Sequence, residues 1–169
     1  DLCEQWIVAC RQAGESSGPE ARRTLDAQGA YLIPGFIDTH VHIESSMMTP
    51  ANFAQVAVGW GTTTVITDPH EITNVMGEAG VSFMAADAKR ALLRQFILAP
   101  SCVPSNPQLE TGGAVLTPEQ IAGLLTRPEV LGLGEVMDYD GVCRGEQRMT
   151  DELTAALRQD LFLQGHAPR

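Results

Sequence analysis

The sequence lacks several features that mark common classes of protein. No stretch approaches the roughly 18 apolar residues of a membrane-spanning helix, and there is no internal repeat. The Gly-rich patterns GxGxxG and GxxxxGKS/T of nucleotide-binding loops are absent. The four cysteines form neither a CxxC pair nor a dense framework, which indicates reduced thiols and favours a cytoplasmic protein.

Composition narrows the class of partner. The net charge of -10 argues against nucleic acid and anionic membrane surfaces. Hydrophobic residues make up 44% and charged residues 19%, which is ordinary for a globular protein, and 169 residues can bury a core. The chain begins without Met and has no basic segment before an apolar run. We therefore expect no signal peptide and interpret the chain as a piece of a longer protein.

The first 30 residues differ from the rest. A polar stretch rich in Gly, Ser and Pro covers residues 11–24 and predicts a loop. Short strands are predicted around Trp6–Cys10 and Thr24–Asp26. We assign residues 1–30 to a small β-rich domain and residues 31–169 to a second domain.

From residue 31 onward, β-prone apolar segments alternate with helical ones. Thr49-Pro50 is a typical helix start, and Thr117 and Gln120 have the spacing of a capping box. The longest helix is predicted from about Glu78 to Arg94, and another from about Met149 to Arg158. Five strands are predicted, at Tyr31–Asp38, Thr62–Thr67, Gln95–Ala99, Val130–Gly134 and Leu161–Gln164.

Such alternation predicts a parallel sheet covered by helices, either an open doubly wound sheet or a (β/α)8 TIM barrel. Every predicted strand is followed by residues able to do chemistry. An open sheet concentrates its ligands at one switch point, whereas a barrel uses the ends of many strands. We therefore predict a (β/α)8 barrel. Because a barrel needs about 250 residues, about five of the eight strands fit this sequence.

His40 and His42 form an HxH pair directly after the first predicted strand. Residues i and i+2 of a strand point to the same face, so both imidazoles can enter the barrel mouth. Two ordinary polar loop residues would give the same spacing. The preceding buried strand and Asp38 favour metal ligation.

Glu135 ends the apolar strand VLGLGE, and His166 follows the last predicted strand. A carboxylate in an apolar environment is costly unless it is paired or bound to a cation. Glu135 is therefore expected to bridge two metal ions, or alternatively to pair with an arginine at the barrel rim. His166 is expected to be a metal ligand, with a solvated terminal residue as the alternative.

The remaining polar residues at strand ends have less definite roles. Asp68, His70 and Glu71 are candidate ligands, residues that orient a ligand, or substrate contacts. A purely structural turn is the alternative. We expect five others to line the pocket: Glu44, Ser45, Ser46, Ser101 and Cys102. For Glu44, Ser45 and Ser46 the alternative is loop capping. The Met47-Met48 pair is expected to serve packing.

These motifs together resemble the amidohydrolase superfamily, and within it the adenine deaminase family. PGFIDTHVH is similar to the superfamily's first-strand signature. The family's blocks occur in order: PGFIDTHVHIESSMMTP, GTTTVITDPHEITNVMG, APSCVP, LETGGAVLT, LGLGEVMDYDGV and GHAP. Dihydroorotase-like members carry a carboxylated lysine where this chain has Glu135. The resemblance assigns residues 31–169 to the N-terminal part of the barrel and residues 1–30, loosely, to a small β-sandwich domain.

The resemblance also implies a site and a cofactor. His40 and His42 would hold one metal ion, Glu135 would bridge, and His166 would join the second ion. The cofactor would be a binuclear divalent centre, with Mn²⁺ as first choice and Fe²⁺ or Zn²⁺ as alternatives. Catalytic roles would fall to Glu135, His70 and Asp68, while the proton shuttle would be an aspartate from a later strand. A further histidine and an aspartate from later strands do not occur in this sequence.

The implied reaction is hydrolytic deamination of the purine base adenine to hypoxanthine and ammonia. Two alternatives remain: another amidohydrolase, such as a deacetylase or cyclic amidase, and a non-catalytic metal-binding remnant. We expect the 169-residue chain alone to be inactive, its edge strands to promote self-association, and the full-length form to be a homo-oligomer.

Overall fold

The computed structural model describes residues 2–3, 6–12, 15 and 20–167, and contacts divide the chain into Asp1–Pro34 and Gly35–Arg169. In the first unit, β1 (Leu2–Cys3) and β2 (Trp6–Ile7) form a two-stranded antiparallel sheet. The strand predicted around Trp6–Cys10 is therefore shorter than expected.

The strand predicted at Thr24–Asp26 is wrong. These residues are exposed and form no strand. Asp26 instead accepts a hydrogen bond at Oδ1 from the Gln28 backbone N–H, at 2.8 Å, and Gln28 has φ 52°. A side chain that bonds the backbone two residues on stabilises a turn, which competes with an extended strand.

The second unit contains a five-stranded parallel sheet in the order β3-β4-β5-β6-β7. Every strand pairs with its predecessor in the sequence, so no strand order reverses as it would in a doubly wound sheet. The sheet curls into half of a barrel, which confirms the predicted barrel class with five strands. The strands are β3 (Phe36–Val41), β4 (Thr62–Thr67), β5 (Arg94–Pro100), β6 (Val130–Val136) and β7 (Phe162–Gly165).

Helices connect successive strands. Thr49-Pro50 begins α1 and Thr117-Pro118 begins α4, as predicted, and only Thr117 forms the reciprocal capping box with Gln120. None of the helices in the described segments is long and apolar enough to cross a membrane. The helices are α1 (Pro50–Gly59), α2 (His70–Met76), α3 (Glu78–Ala88), α4 (Pro118–Leu125), α5 (Tyr139–Arg144) and α6 (Gln147–Leu157), and a 3-10 turn covers Ile43–Ser46.

Two predicted elements have wrong ends. The first strand runs over Phe36–Val41 rather than Tyr31–Asp38, because pairing starts where Phe36 meets Thr62 of β4, and His40 therefore lies within the strand rather than after it. The helix predicted to reach Arg94 ends at Ala88, because Arg94 pairs with Thr64 in β5. In both places sheet pairing overrides the local pattern.

The expectation that Met47 and Met48 pack is also wrong. Met47 ends the 3-10 turn in a left-handed conformation, φ 58°, and its side chain is 97% exposed. Met48 is 38% exposed. The turn directs both side chains away from the core.

The core lies between the sheet and the helices. Strand residues Val65, Ile97 and Leu133 are at most 1% exposed and belong to one apolar cluster with helix residues. The helix residues include Val81, Met84, Ile121 and Leu124. Packing behind the strands fixes the sheet and leaves the carboxyl ends of the strands to form the site.

Candidate metal centre

The candidate centre is built around Glu135, near the carboxyl end of β6. Its side chain is buried and faces all four histidines of the sequence. Glu135 Oε1 lies 2.9 Å from His166 Nε2 and 3.4 Å from His40 Nε2. Glu135 Oε2 lies 3.0 Å from His70 Nδ1 and 3.6 Å from His42 Nε2. Four strand ends therefore deliver one carboxylate and four imidazoles to one place.

The backbone at Glu135 is held in an unusual conformation. Its φ of 25° is rare for a residue with a side chain, and strain of this kind clusters at functional sites. The pairing of β6 with β7 shifts register between Leu133 and Val136. The buried Ser101 hydroxyl lies 2.8 Å from the Gly134 carbonyl oxygen and 3.0 Å from that of Glu135, and can donate to either. This irregular pairing directs the Glu135 side chain toward the histidines at the carboxyl ends of the neighbouring strands.

The histidines keep Glu135 ionised. Burial alone would raise its pKa, but the hydrogen bond from His166 and the nearby His42, His70 and His40 lower the pKa below its ordinary value. Within residues 20–167, every ion-pair partner of Glu135 is a histidine. The arginine partner considered as an alternative is not found in this part of the chain.

His40 and His42 direct the same ring nitrogen toward Glu135. His40 Nδ1 lies 3.0 Å from Gln164 Oε1 of β7, and His42 Nδ1 lies 2.9 Å from the Asp68 carbonyl oxygen. Both of these partners are acceptors, so in the neutral form of each ring, the form that binds a metal, Nδ1 carries the proton and Nε2 presents a lone pair. A hydrogen bond that fixes the tautomer in this way is typical of metal-ligating histidines.

The donor atoms fit a divalent cation. The two Nε2 atoms are 2.9 Å apart, and two lone pairs cannot form a hydrogen bond with each other. Ligand atoms of His40, His42 and Glu135 all lie within 4.8 Å of one another. Glu135 Oε2 and His70 Nδ1 are buried without a hydrogen-bond partner in the described structure. A bound cation would satisfy these groups, because buried carboxylates and imidazoles need a partner.

His70 lies at the first position of α2, beside the fully buried Asp68. His70 Nδ1 is 3.6 Å from Asp68 Oδ1, and both Asp68 carboxylate oxygens are buried without hydrogen bonds. Burial lowers the pKa of His70, but Asp68 and Cys102 outweigh burial and raise it to about 11. Burial raises the pKa of Asp68, and His70 offsets part of this rise. The pair therefore lies next to Glu135, with the His70 imidazole between two buried carboxylates.

Cys102 follows β5 and is also buried. Its sulfur, His70 and Glu135 form a second group whose ligand atoms lie within 4.8 Å of one another. Burial raises the pKa of the Cys102 thiol. Ser101 beside it uses its hydroxyl for the backbone of β6, as described above.

Glu44 and Glu71 lie on the other side of His42. Glu71 Oε2 is 3.4 Å from His42 Nδ1, and Glu71 Oε1 accepts a hydrogen bond from the Ser45 hydroxyl at 2.7 Å. Glu44 Oε1 accepts from the Ile72 backbone N–H at 3.3 Å, while its Oε2 is buried without a partner. Burial raises the pKa of Glu44. His42, His70 and Glu71 form a third potential ligand group.

Two predicted residues lie at the margin of this cluster. The hydroxyl of Ser46 donates to the Ile43 carbonyl oxygen at 2.6 Å, within its own turn. The His166 side chain is 59% exposed, although its Nε2 reaches Glu135. His166 is thus neither detached from the site nor enclosed by the described residues.

Sequence reasoning missed two residues. Gln164, which orients His40, lies two residues before His166, so the period-two rule applied to the HxH pair could have found it. Arg148 of α6 donates to the carbonyl oxygens of Ser101 and Ser105, both at 3.3 Å, and pairs with Asp138 at 3.0 Å. It ties the loops after β5 and β6 together. No short motif signals this role, because the two carbonyl contacts span more than 40 residues.

Comparison with known proteins places most of the chain in one family. Residues 31–168 match the family model described as the amidohydrolase family. This range contains all five strands of the parallel sheet and every residue of the candidate centre.

Curated relatives agree with this match. The chain is 49% identical to the adenine deaminase of Methanosphaera stadtmanae over 137 residues, 81% of this chain and 25% of that protein. It is 50% identical to that of Serratia proteamaculans over 149 residues, 88% and 25% respectively. It is also 50% identical to that of Bacillus velezensis over 153 residues, 90% and 26%. The chain spans about a quarter of the length of these relatives.

Proposed function

Because the chain belongs to the amidohydrolase family, we propose that it supplies the first half-barrel of a metal-dependent adenine deaminase. Such an enzyme hydrolyses adenine to hypoxanthine and ammonia. The observation that carries the proposal is the buried Glu135 with four imidazoles around its two oxygens.

His40, His42, Glu135 and His166 would hold the binuclear centre. Their nitrogen and oxygen donors suit Mn²⁺, our first choice, and also Fe²⁺ and Zn²⁺. When bound, such ions lower the pKa of water and stabilise developing negative charge. Glu135 Oε1 faces His40 and His166, and Oε2 faces His42 and His70, so both of its oxygens have imidazoles within reach, which would suit a bridging ligand.

His70 and Asp68 are proposed to handle the proton. His70 Nδ1 lies between Glu135 Oε2 and Asp68 Oδ1, at 3.0 and 3.6 Å. In its protonated form His70 can hold a proton at the edge of the site and release it to the departing amine. The buried Asp68 stabilises that protonated form.

Substrate contacts are proposed on the Glu44 side. Glu44 Oε2 is a buried acceptor without a partner, and an amino or ring N–H of a purine is the kind of donor it lacks. Ser45 supports Glu71 beside it. Ser46, Ser101 and Cys102 stay predictions as substrate contacts, since the hydroxyls of Ser46 and Ser101 already donate to backbone carbonyls. We also keep the proposal that residues 1–30 belong to a separate small β domain.

A chimera tests the proposed function. This chain would replace the matching quarter of the Serratia proteamaculans adenine deaminase, to which it is 50% identical. After Mn²⁺ loading, we expect the chimera to release ammonia and hypoxanthine from adenine. Glu135→Gln should lower kcat/KM at least about a hundredfold, or about 2.7 kcal/mol. Glu129→Gln, at the opposite end of β6, should leave it nearly unchanged.

The contradicting outcomes are specific. A chimera that loads metal but leaves adenine intact would overturn the assignment. Hydrolysis of a cyclic amide or an acetylated substrate instead of adenine would favour another amidohydrolase activity. Equal activity of the parent and the Glu135→Gln chimera would remove Glu135 from the mechanism.

A further inference from the structure

We infer that His70, Cys102 and Glu135 form a separate thiolate-containing subsite that takes a soft or borderline divalent ion such as Zn²⁺, Co²⁺ or Cd²⁺. The inference rests on the proposed function, because it shares Glu135 with the proposed centre. The subsite lies on the Glu135 Oε2 side of the cluster, away from His166 and the oxygen Oε1.

The three donors are already close to coordination geometry. Their ligand atoms lie within 4.8 Å of one another. Bonds of roughly 2.0–2.3 Å in a tetrahedral site place ligand atoms about 3.4–3.8 Å apart. Side-chain movements of about 1 Å would close that gap, and His70 Nδ1 is already 3.0 Å from Glu135 Oε2.

The surroundings lack the hydrogen bonds that buried polar groups normally have. His70 Nδ1, Glu135 Oε2 and both oxygens of the fully buried Asp68 have no hydrogen-bond partner in the described structure. His70 Nδ1 and Glu135 Oε2 lie 3.0 Å apart and compensate each other in part, whereas the closest contact of the Asp68 carboxylate, to His70 Nδ1, is 3.6 Å. Buried polar atoms without hydrogen bonds cost free energy. A cation at this point would satisfy two of them directly and the Asp68 charge electrostatically.

Cys102 determines which ion the subsite prefers. Thiolate sulfur favours Zn²⁺ and softer ions, whereas carboxylate and water oxygens suit Mn²⁺. On binding, the Cys102 S–H bond and the His70 N–H bond break, each electron pair stays on its sulfur or nitrogen to form a bond to the metal, and the two protons pass to water. With the ion bound, His70 carries the metal instead of the proton that the proposed function assigns to it. The centre would thus distinguish two classes of ion through one additional side chain.

Cobalt spectroscopy tests this directly. The parent would be the chain with Cys3, Cys10 and Cys143, all exposed, replaced by Ser, so that Cys102 is the only thiol. Titration with Co²⁺ should produce a near-ultraviolet sulfur-to-cobalt charge-transfer band. Cys102→Ser and Cys102→Ala should both lack the band, with far-ultraviolet circular dichroism showing that they fold. His70→Gln should weaken Co²⁺ binding at least about tenfold.

Equilibrium dialysis with Mn²⁺ and Co²⁺ separates the failure of this inference from that of the proposed function. If Mn²⁺ and Co²⁺ bind the parent but the band is absent, the thiolate subsite is wrong and the metal centre stands. If the band persists in Cys102→Ser, the subsite is also wrong. If neither ion binds the folded parent, both the centre and the subsite are wrong.

Discussion

Glycine at position 134 gives Asp68 its place beside the candidate centre. A Cβ atom at Gly134 would overlap Asp68 Oδ2 and lie 2.7 Å from the Leu98 Cβ. Since Asp68 is fully buried, its carboxylate has nowhere to retreat. Glu135 follows directly, with its strained φ of 25°. Because Gly134 has no Cβ atom, Asp68 can occupy this position next to Glu135.

We expect Gly134→Ala to lower the free energy of unfolding by about 1–3 kcal/mol, the usual cost of overpacking a core. Metal affinity should fall with it, because Asp68 and Glu135 move. Chemical denaturation and Mn²⁺ titration measure the two effects. Gly123→Ala in α4 is the control: nothing lies within 4 Å of its Cβ, so the helix should gain up to about 1 kcal/mol. An unchanged Gly134→Ala variant would contradict this account of the Asp68 position.

At this scale the sequence predicts individual residues well when their signal is local. The HxH pair could be found because its two members are two residues apart in the sequence, and Glu135 because it interrupts an apolar strand. The approach of His70 to Glu135 could not be predicted. It depends on α2 beginning at His70, and the DPHE motif is also compatible with a simple turn.

Among the helices, α6 supports the loops that follow β5 and β6. Glu152 of this helix is fully buried, with one oxygen 3.4 Å from Arg148 and the other without a hydrogen bond in the described structure. Burial raises the pKa of Glu152 to about 7, although Arg148 opposes the rise. Arg148 in turn holds the Ser101 and Ser105 carbonyls. Glu152 is therefore in contact with Arg148, the residue of α6 that holds the loop after β5. A change in the charge of Glu152 acts on that contact.

This coupling predicts a pH dependence of stability. Below about pH 4.5 Glu152 is protonated in both the folded and unfolded states. Between about 4.5 and 7 the unfolded chain releases the proton and the folded chain keeps it, so the free energy of unfolding decreases as pH rises. Glu152→Gln removes this contribution. Relative to the parent, its free energy of unfolding should increase by about 1–3 kcal/mol between pH 4 and pH 8.

Urea denaturation at pH 4, 6 and 8 measures the difference. Asp160→Asn is the control, because it removes an acidic side chain from an exposed position just after the same helix, whereas Asp151 itself raises the pKa of Glu152. Its stability relative to the parent should stay nearly constant with pH. A Glu152→Gln difference that is the same at all three values would show that Glu152 does not titrate in this range.

Element boundaries were predictable only where the sequence contains its own stop signals. Thr117-Pro118 and the β-branched run Thr62–Thr67 define their ends locally, and the structure agrees. The ends of β3 and α3 depend on which residues pair with β4. Those partners are more than 20 residues away in the sequence. The local pattern therefore placed the start of β3 too early and the end of α3 too late.

At the scale of the whole molecule, the sheet has two strands with one neighbour each. In the described structure β3 pairs only with β4, and β7 only with β6. Phe36 and Ile37 of β3 are 60% and 63% exposed. An apolar strand edge with unpaired backbone groups is a template for association.

We therefore expect the chain to self-associate with rising concentration in sedimentation velocity runs. Ile37→Lys should weaken association at least about tenfold, or about 1.4 kcal/mol, because charges on an edge strand oppose pairing. Leu92→Lys serves as the control, since Leu92 is exposed outside the sheet. A monomer at all concentrations, or equal effects of the two variants, would contradict the edge-strand explanation.

The proposed chemistry depends on a divalent metal ion bound by Glu135 and its histidines. Titration of the chain with Mn²⁺, followed by the electron paramagnetic resonance signal of free Mn²⁺, measures this without any assumption about substrate. We expect saturable binding of at least one ion per chain. Glu135→Gln should weaken it at least about tenfold, and Glu129→Gln should bind like the parent. Absence of binding to the folded chain, or identical isotherms for the parent and Glu135→Gln, would contradict the proposed binding.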